Sequence, residues 1–254
     1  MRILVTNDDG VYSPGLLALK QSLSNLGEVV VVAPDRPRSA TGHAITLHKP
    51  LRIRAVKLPD GSMAHAVNGT PADCVVLGYH IVMEQRCSVV ASGINPGANL
   101  GWDVNYSGTV AAALEGAILD VPSFAISIVT EVEPDDVDYS LAAGFAVRVA
   151  RSIEGDSALK RVCLNVNVPE GSRADLRSVA ITRQGSQQYE NGIDVTKDPA
   201  GKPCYWFGGV LLSGESEPGT DVAAIREHRI SVTPLGLDLT AHALLPELED
   251  WKLD

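Results

Sequence analysis

No apolar run in the chain approaches the ~18–20 residues that a membrane-spanning helix requires. The longest candidate, Val29 to Ala33, is strand-sized. No separate signal-like segment stands before the strand-like opening Met1-Arg2-Ile3-Leu4-Val5, so neither a membrane protein nor an exported one is expected. The four cysteines, Cys74, Cys87, Cys163 and Cys204, form no CxxC pair and no cluster with histidine. That pattern argues against a zinc centre or a redox couple and points to a reducing, cytoplasmic setting. Basic residues are in deficit: 21 Lys and Arg stand against 31 Asp and Glu, a formal net charge of −10. The broad basic face that a stable duplex nucleic-acid complex needs is therefore not expected. A small anionic ligand remains compatible, since one metal ion and a few backbone amides can hold a phosphate on an acidic protein.

Three sequence motifs are missing as well. No GxGxxG follows the first strand, no GxxxxGK[ST] occurs anywhere, and no GxSxG elbow is present. A dinucleotide fingerprint, a P-loop enzyme and an α/β-hydrolase are thereby disfavoured. What the 254 residues do hold is ordinary globular material, 45% hydrophobic and 20% charged, enough for a sizeable core without disulfide staples.

Strand and helix patterns alternate along the first two thirds. Arg2 to Thr6 reads as a strand, and Ser13-Pro14 opens a helix with a serine cap and a proline in its first turn. Leu16, Leu19, Leu23 and Leu26 follow at helical spacing, Gly27 stops the helix, and Val29 to Ala33 is a second buried strand. Short strands are expected over Ala44 to Val56 and Ala64 to Val67, around the turn Pro59-Asp60-Gly61. Thr70-Pro71-Ala72-Asp73 starts a capped helix. Ser88 to Ala91 and Pro122 to Val129 read as strands, Ser107 to Leu119 and Asp138 to Ile153 as helices. The alternation Val162, Leu164, Val166, Val168 predicts a half-buried strand. The order predicts an α/β fold, a Rossmann-like, doubly wound and mostly parallel sheet.

After Pro169 the texture changes to Gly, Ser, Pro and charge, with strand signals near Val179–Arg183 and Tyr205–Leu212, then a returning strand at Ile230 to Pro234 and a terminal helix over Thr240 to Trp251. We expect an α/β core over residues 1–170 and a C-terminal extension over 171–254. The extension would carry β-hairpin arms that pair with another subunit, because isolated two-stranded ribbons are marginal alone.

Chemistry-bearing residues collect where strands end. Asp8 and Asp9 put two carboxylates after the first strand, and hard oxygen donors suit Mg²⁺, Mn²⁺ or Ca²⁺ rather than zinc. An Asp-Asp-Gly run is equally a solvated turn, and position alone evens the two readings. Ser39 and Asn95 offer neutral oxygens to a metal shell, though each alone is more often a turn or cap residue. Ser107-Gly108-Thr109 caps a helix, where free amides and the positive end of the helix dipole can receive an anion. A metal beside such a nest is a phosphoester site. His43, near the Ser39 loop, is a candidate acid or phosphate contact; an exposed or structural histidine is the commoner case.

At these residues the sequence resembles the SurE survival-protein family. The resemblance rests on Arg2-Ile3-Leu4-Val5-Thr6-Asn7-Asp8-Asp9-Gly10, Ala33-Pro34-Asp35, Arg38-Ser39-Ala40-Thr41-Gly42 and Gly69-Thr70-Pro71-Ala72-Asp73. It continues through Ser92-Gly93-Ile94-Asn95-Pro96-Gly97-Ala98-Asn99, Tyr106-Ser107-Gly108-Thr109-Val110-Ala111-Ala112-Ala113, Asn165-Val166-Asn167-Val168-Pro169 and Thr233-Pro234-Leu235. It is weakest between Gly171 and Gly219, and Arg229 stands where the family usually has an aromatic residue.

The resemblance implies a cytoplasmic, metal-dependent phosphatase acting on nucleoside 5′-monophosphates, with 3′-monophosphates and short polyphosphates as further substrates of some members. It implies one divalent cation per subunit, Mg²⁺ or Mn²⁺, on Asp8, Asp9, Ser39 and Asn95, and a homodimer or homotetramer. On this reading Asp8, Asp9 and Asn95 are catalytic, and Asn95, Ser107, Gly108, Thr109 and His43 contact phosphate. Two alternatives stand beside it. One is a non-catalytic nucleotide sensor; the other is a haloacid-dehalogenase-type phosphatase, against which the adjacency of Asp8 and Asp9 speaks, since that class wants DxD.

Overall fold

The structure, a computed structural model, describes residues 1–159, 161–171, 176–186, 189–190, 192–207, 210–211 and 217–251. Its first half runs β1 (Arg2–Thr6), α1 (Pro14–Leu23), β2 (Glu28–Pro34), β3 (Ile53–Lys57), β4 (Met63–Val67), α2 (Pro71–Leu77), β5 (Val89–Pro96) and α3 (Gly108–Ile118). The second half runs β6 (Ser123–Val129), α4 (Ser140–Ile153), β7 (Val162–Pro169), β8 (Val179–Ile181), β9 (Tyr189–Glu190), β10 (Ile193–Lys197), β11 (Pro203–Phe207), β12 (Val210–Leu211), α5 (Asp221–Arg226), β13 (Ile230–Gly236) and α6 (Leu245–Glu249).

Among the described residues one large sheet has the order β3-β4-β2-β1-β5-β6-β7-β13-β8. From β4 to β7 all neighbours are parallel; β3 and β13 run antiparallel to their inner neighbours. The chain builds from β1 out to β2 and β4, then returns to the other side of β1 with β5, β6 and β7. The order therefore reverses between β1 and β5, and such a switch point is where open α/β sheets bind ligands beyond the carboxyl ends of their strands.

The central strands are apolar on both faces. Ile3, Val5, Val31, Ala33, Val89 and Ala91 pack with α1 and α4 in one core, and the intervening Leu4, Val32 and Val90 pack with α2 in another. This is why parallel strands read as continuous hydrophobic runs. Local sequence fixes the helix starts. The Ser13 side chain accepts from the Leu16 N–H with Pro14 in the first turn, and Thr70 and Asp73 form a reciprocal capping box. Ser107 Oγ accepts from the Val110 N–H at 3.1 Å to start α3.

Several expectations need correction. Strand forms only at Ile53–Lys57, so the expected span Ala44–Val56 is strand from Ile53 onward and not before. The residues before it are held by side chains instead: Thr46 N–H donates to Asp73 Oδ1 at 3.0 Å, and Arg52 N–H to Asn68 Oδ1 at 2.7 Å. Strand β7 is interior rather than half-buried, with β6 and β13 on either side. The polar members of its alternation, Asn165 and Asn167, are fully buried and donate to the Asn99 carbonyl at 2.8 and 3.0 Å.

The C-terminal segment splits its roles. Strands β8 and β13 join the main sheet, while β10 with β11 and β9 with β12 form separate antiparallel pairs. The expected strand end at Leu212 lies outside the described residues. The terminal helix is shorter than expected, a 3₁₀ turn at His242–Leu244 running into α6. Helix α5, capped by Thr220, was not anticipated from sequence.

Candidate active site

The turn after β1 is built by Asn7, which is fully buried. Its side chain accepts from the Gly10 N–H at 3.2 Å and donates to Gly10 O at 3.1 Å and to Ser13 Oγ at 2.6 Å. Asp8 and Asp9 are thereby fixed between the strand and the cap of α1. Gly10 adopts φ +99°, a conformation open to glycine at little cost. The loop after β2 is tied to the same turn, since Arg38 N–H donates to Asp8 O at 2.7 Å. Ser39, next in sequence, is exposed. Asn95, near the end of β5, donates its amide to Gly97 O at 2.9 Å, which leaves its side-chain oxygen as the ligating end.

Asp8, Asp9, Ser39, Asn95 and Ser107 all border one open cavity of about 370 Å³, together with Asn99, Asp103 and Tyr106. The four residues expected to hold a metal are thus brought to one place. Gly108 and Thr109 are not part of its lining; they stand behind Asp8. The Thr109 hydroxyl donates to Asp8 Oδ1 in a short hydrogen bond, and the Gly108 and Thr109 backbones also hydrogen-bond the Asp8 carboxylate. A Cβ on Gly108 would lie 2.8 Å from Asp8 Cβ and 2.9 Å from Asp8 Oδ2. The anion seated on the start of α3 is therefore the Asp8 carboxylate itself, and the close approach expected at Gly108 is that of Asp8. His43 is likewise engaged elsewhere, its Nε2 lying 2.8 Å from Glu115 Oε2 on α3.

The electrostatics favour a cation. Burial raises the Asp8 carboxyl above its usual range, opposed by the Thr109 hydroxyl and the α3 backbone. Burial, and then the neighbouring Asp8 charge, push Asp9 up to about 7. Asp9 Oδ2 is buried and without a hydrogen-bond partner, and a buried polar atom in that condition is an unmet demand. Two carboxylates, a hydroxyl and an amide are oxygen donors of the kind that could hold a hard divalent ion there. Among the described residues no three His, Cys, Asp or Glu side chains group as a metal cluster, so a site here leans on the neutral oxygens of Ser39 and Asn95.

Sequence reasoning missed the supports. Asn99 is clamped by Asn165 and Asn167, and its own amide donates to Ser127 Oγ at 2.8 Å. The fully buried Asp221 accepts from the Gly101 and Gly185 N–H groups at 2.9 and 2.8 Å, tying α5 to the segment just beyond the cavity. The available signal was Asn-Val-Asn, polar residues at period two inside an apolar strand.

A family model described as Survival protein SurE matches residues 3–191. The chain is 46% identical to a protein named 5′-nucleotidase SurE from Natranaerobius thermophilus, over 100% of both. It is 48% identical to one of the same name from Moorella thermoacetica, over 98% of this chain and 95% of the other. Among solved structures it resembles the SurE protein from Aquifex aeolicus, with a TM-score of 0.84 and 38% identity, covering 98% of each chain.

Proposed function

The chain belongs to the survival protein SurE family, and we propose that it is a metal-dependent phosphatase that hydrolyses nucleoside 5′-monophosphates to nucleoside and phosphate. The observation that carries this reading is the meeting of Asp8, Asp9, Ser39 and Asn95 at one cavity on the switch point, with the buried Asp9 Oδ2 unpartnered. Those four residues would hold one divalent cation, Mg²⁺ or Mn²⁺. When bound, the ion supplies Lewis-acid polarisation of the phosphoryl group and neutralises its charge.

The rest of the chemistry falls to the chain. Asp8 is held from behind by the Thr109 hydroxyl and the start of α3, which suits it to orient the attacking water and accept its proton. Asn95 and Ser107 border the space for the phosphoryl oxygens, so they bind and orient that group. Gly108 and Thr109 act one step removed, by fixing Asp8. His43 acts through Glu115, steadying the loop that carries Ser39. Water adds to phosphorus as its proton passes to Asp8, the ester P–O bond breaks, and the departing ester oxygen takes up that proton, so inorganic phosphate and the nucleoside result. Because recognition centres on the phosphoryl group, 3′-monophosphates and short polyphosphates are further substrates on this reading.

We place the enzyme in the cytoplasm, in keeping with four free cysteines; no helix among the described residues is long and apolar enough to cross a membrane. We also assign it a homodimer or homotetramer built through the C-terminal extension over 171–254. Tyr205 and Phe207 of β11, with Val195 and Ile193 paired opposite them on β10, form one exposed apolar face, and such a face marks an interaction surface. Phosphate release from adenosine 5′-monophosphate tests the activity. Release should stop with EDTA and return with Mg²⁺ or Mn²⁺, whereas nucleotide binding without release in any metal would leave only a sensor.

A further inference from the structure

We propose that a second cavity, adjoining the first, receives the nucleoside of the substrate, with the Tyr12 ring as the stacking face for the base; the assignment rests on the phosphatase reading above. This cavity measures about 410 Å³ and shares Asp9 and Pro96 with the first. The two spaces thus join at one of the residues expected to hold the metal. The volume falls in the ~300–1,000 Å³ range typical of small-molecule sites. Both open beyond the carboxyl ends of β1 and β5, at the switch point of the sheet.

Tyr12 is placed for stacking by the rigidity around it. Its neighbour Val11 is 2% exposed and Tyr12 itself 58% exposed. The turn is locked by the Asn7 bonds already described and by Val11 N–H donating to Pro34 O at 2.8 Å. An aromatic ring held out on a fixed backbone loses little freedom on binding, and base–aromatic stacking tolerates any base.

Charge sets the orientation of the substrate. Beside Asp9, which serves the cation, Asp35 and Asp135 line the second cavity with Arg36. Such a surface disfavours a phosphate dianion but accepts hydrogen bonds from ribose hydroxyls and from base N–H groups. Asp35 Oδ1 is buried without a hydrogen-bond partner; the guanidinium of Arg38 lies 4.0 Å from it and that of Arg54 3.8 Å from Asp35 Oδ2, beyond hydrogen-bond distance. An acceptor awaiting a neutral donor fits an uncharged nucleoside. The phosphoryl group is then left to the first cavity and the sugar and base to the second.

The test compares wild type with Tyr12→Ala and Tyr12→Phe on two substrates, adenosine 5′-monophosphate and ribose 5-phosphate, and measures adenosine binding by calorimetry. Tyr12 is largely exposed, so both variants should fold. For Tyr12→Ala we expect kcat/KM on the nucleotide to fall about tenfold, equivalent to about 1.4 kcal/mol, through KM, with ribose 5-phosphate unchanged and adenosine affinity falling in parallel. Tyr12→Phe should retain both. Equal losses on the two substrates, no loss on either, or a nucleotide-specific KM rise in Tyr106→Ala instead would overturn the assignment. If wild type released phosphate from neither substrate, while adenosine bound and lost affinity in Tyr12→Ala, the phosphatase reading would fall and the nucleoside subsite would stand.

Discussion

Substituting Gly108 by alanine isolates the support that α3 gives to Asp8. In an unobstructed helix a Gly→Ala change stabilises by about 1 kcal/mol, because alanine loses less backbone entropy. Here the added methyl would stand 2.8 Å from Asp8 Cβ and 2.9 Å from Asp8 Oδ2, closer than side chains approach one another. Asp8 cannot retreat freely, since Thr109 and the α3 backbone hold its carboxylate. Overpacking a tight site costs about 1–3 kcal/mol, which cancels or exceeds the helix gain. We expect a net loss of up to about 2 kcal/mol, or up to roughly 8 °C in melting temperature for a chain of this size. The larger effect should fall on the cation, with Mn²⁺ affinity weakened at least about tenfold (about 1.4 kcal/mol) as Asp8 is displaced. Thermal melts of the metal-free protein and calorimetric titration of Mn²⁺ read the two separately. A higher melting temperature with unchanged Mn²⁺ affinity would refute the reasoning, for it would mean that Gly108 is an ordinary helix position.

Three further outcomes are expected. Because Asp9 is raised to about 7 in the metal-free fold, its contribution to stability is full below an unfolded pKa of about 4 and is lost as pH rises through about 7. The metal-free protein should therefore melt lower at pH 8 than at pH 5, and Asp9→Asn should flatten that slope while abolishing turnover; an unchanged slope in the variant would count against the buried charge. Asp221→Ala strips the acceptor from buried N–H groups of Gly101 and Gly185 and should lower unfolding free energy by about 3 kcal/mol in urea titration, with a loss under 1 kcal/mol contradicting the anchoring role. Phe207→Glu, at a position 96% exposed, should leave the fold intact and shift sedimentation toward the monomer if the β11 face is buried between subunits; an unchanged sedimentation coefficient would remove that face from the assembly.

Much of this was legible in the chain because local rules and tertiary demands agree there. Ser13-Pro14 and Thr70-Pro71 start helices where caps and prolines say they should, and the apolar runs of β1 and β2 have a core on each face. The positions Asp8, Asp9, Ser39 and Asn95 were readable from motifs at strand ends. Their support was not. Whether the start of α3 faces ligand or protein depends on how close Gly108 comes to Asp8, a packing distance no spacing encodes. Asn165 and Asn167 mimic a solvent-facing alternation because period two is the same whether polar residues meet water or a buried carbonyl. The residues before Ile53 fail to form a strand because Asp73 and Asn68 side chains take the backbone bonds a ladder would have made.

The central claim is that Asp8 and Asp9 anchor one cation on which phosphate release depends. Equilibrium dialysis of wild type and Asp9→Asn against graded Mn²⁺, with phosphate release from adenosine 5′-monophosphate assayed on the same samples, tests it most directly. The account predicts one tightly bound ion per wild-type chain, turnover rising in proportion to occupancy, and neither in Asp9→Asn. Full turnover by metal-stripped wild type, or undiminished Mn²⁺ binding by Asp9→Asn, would contradict it.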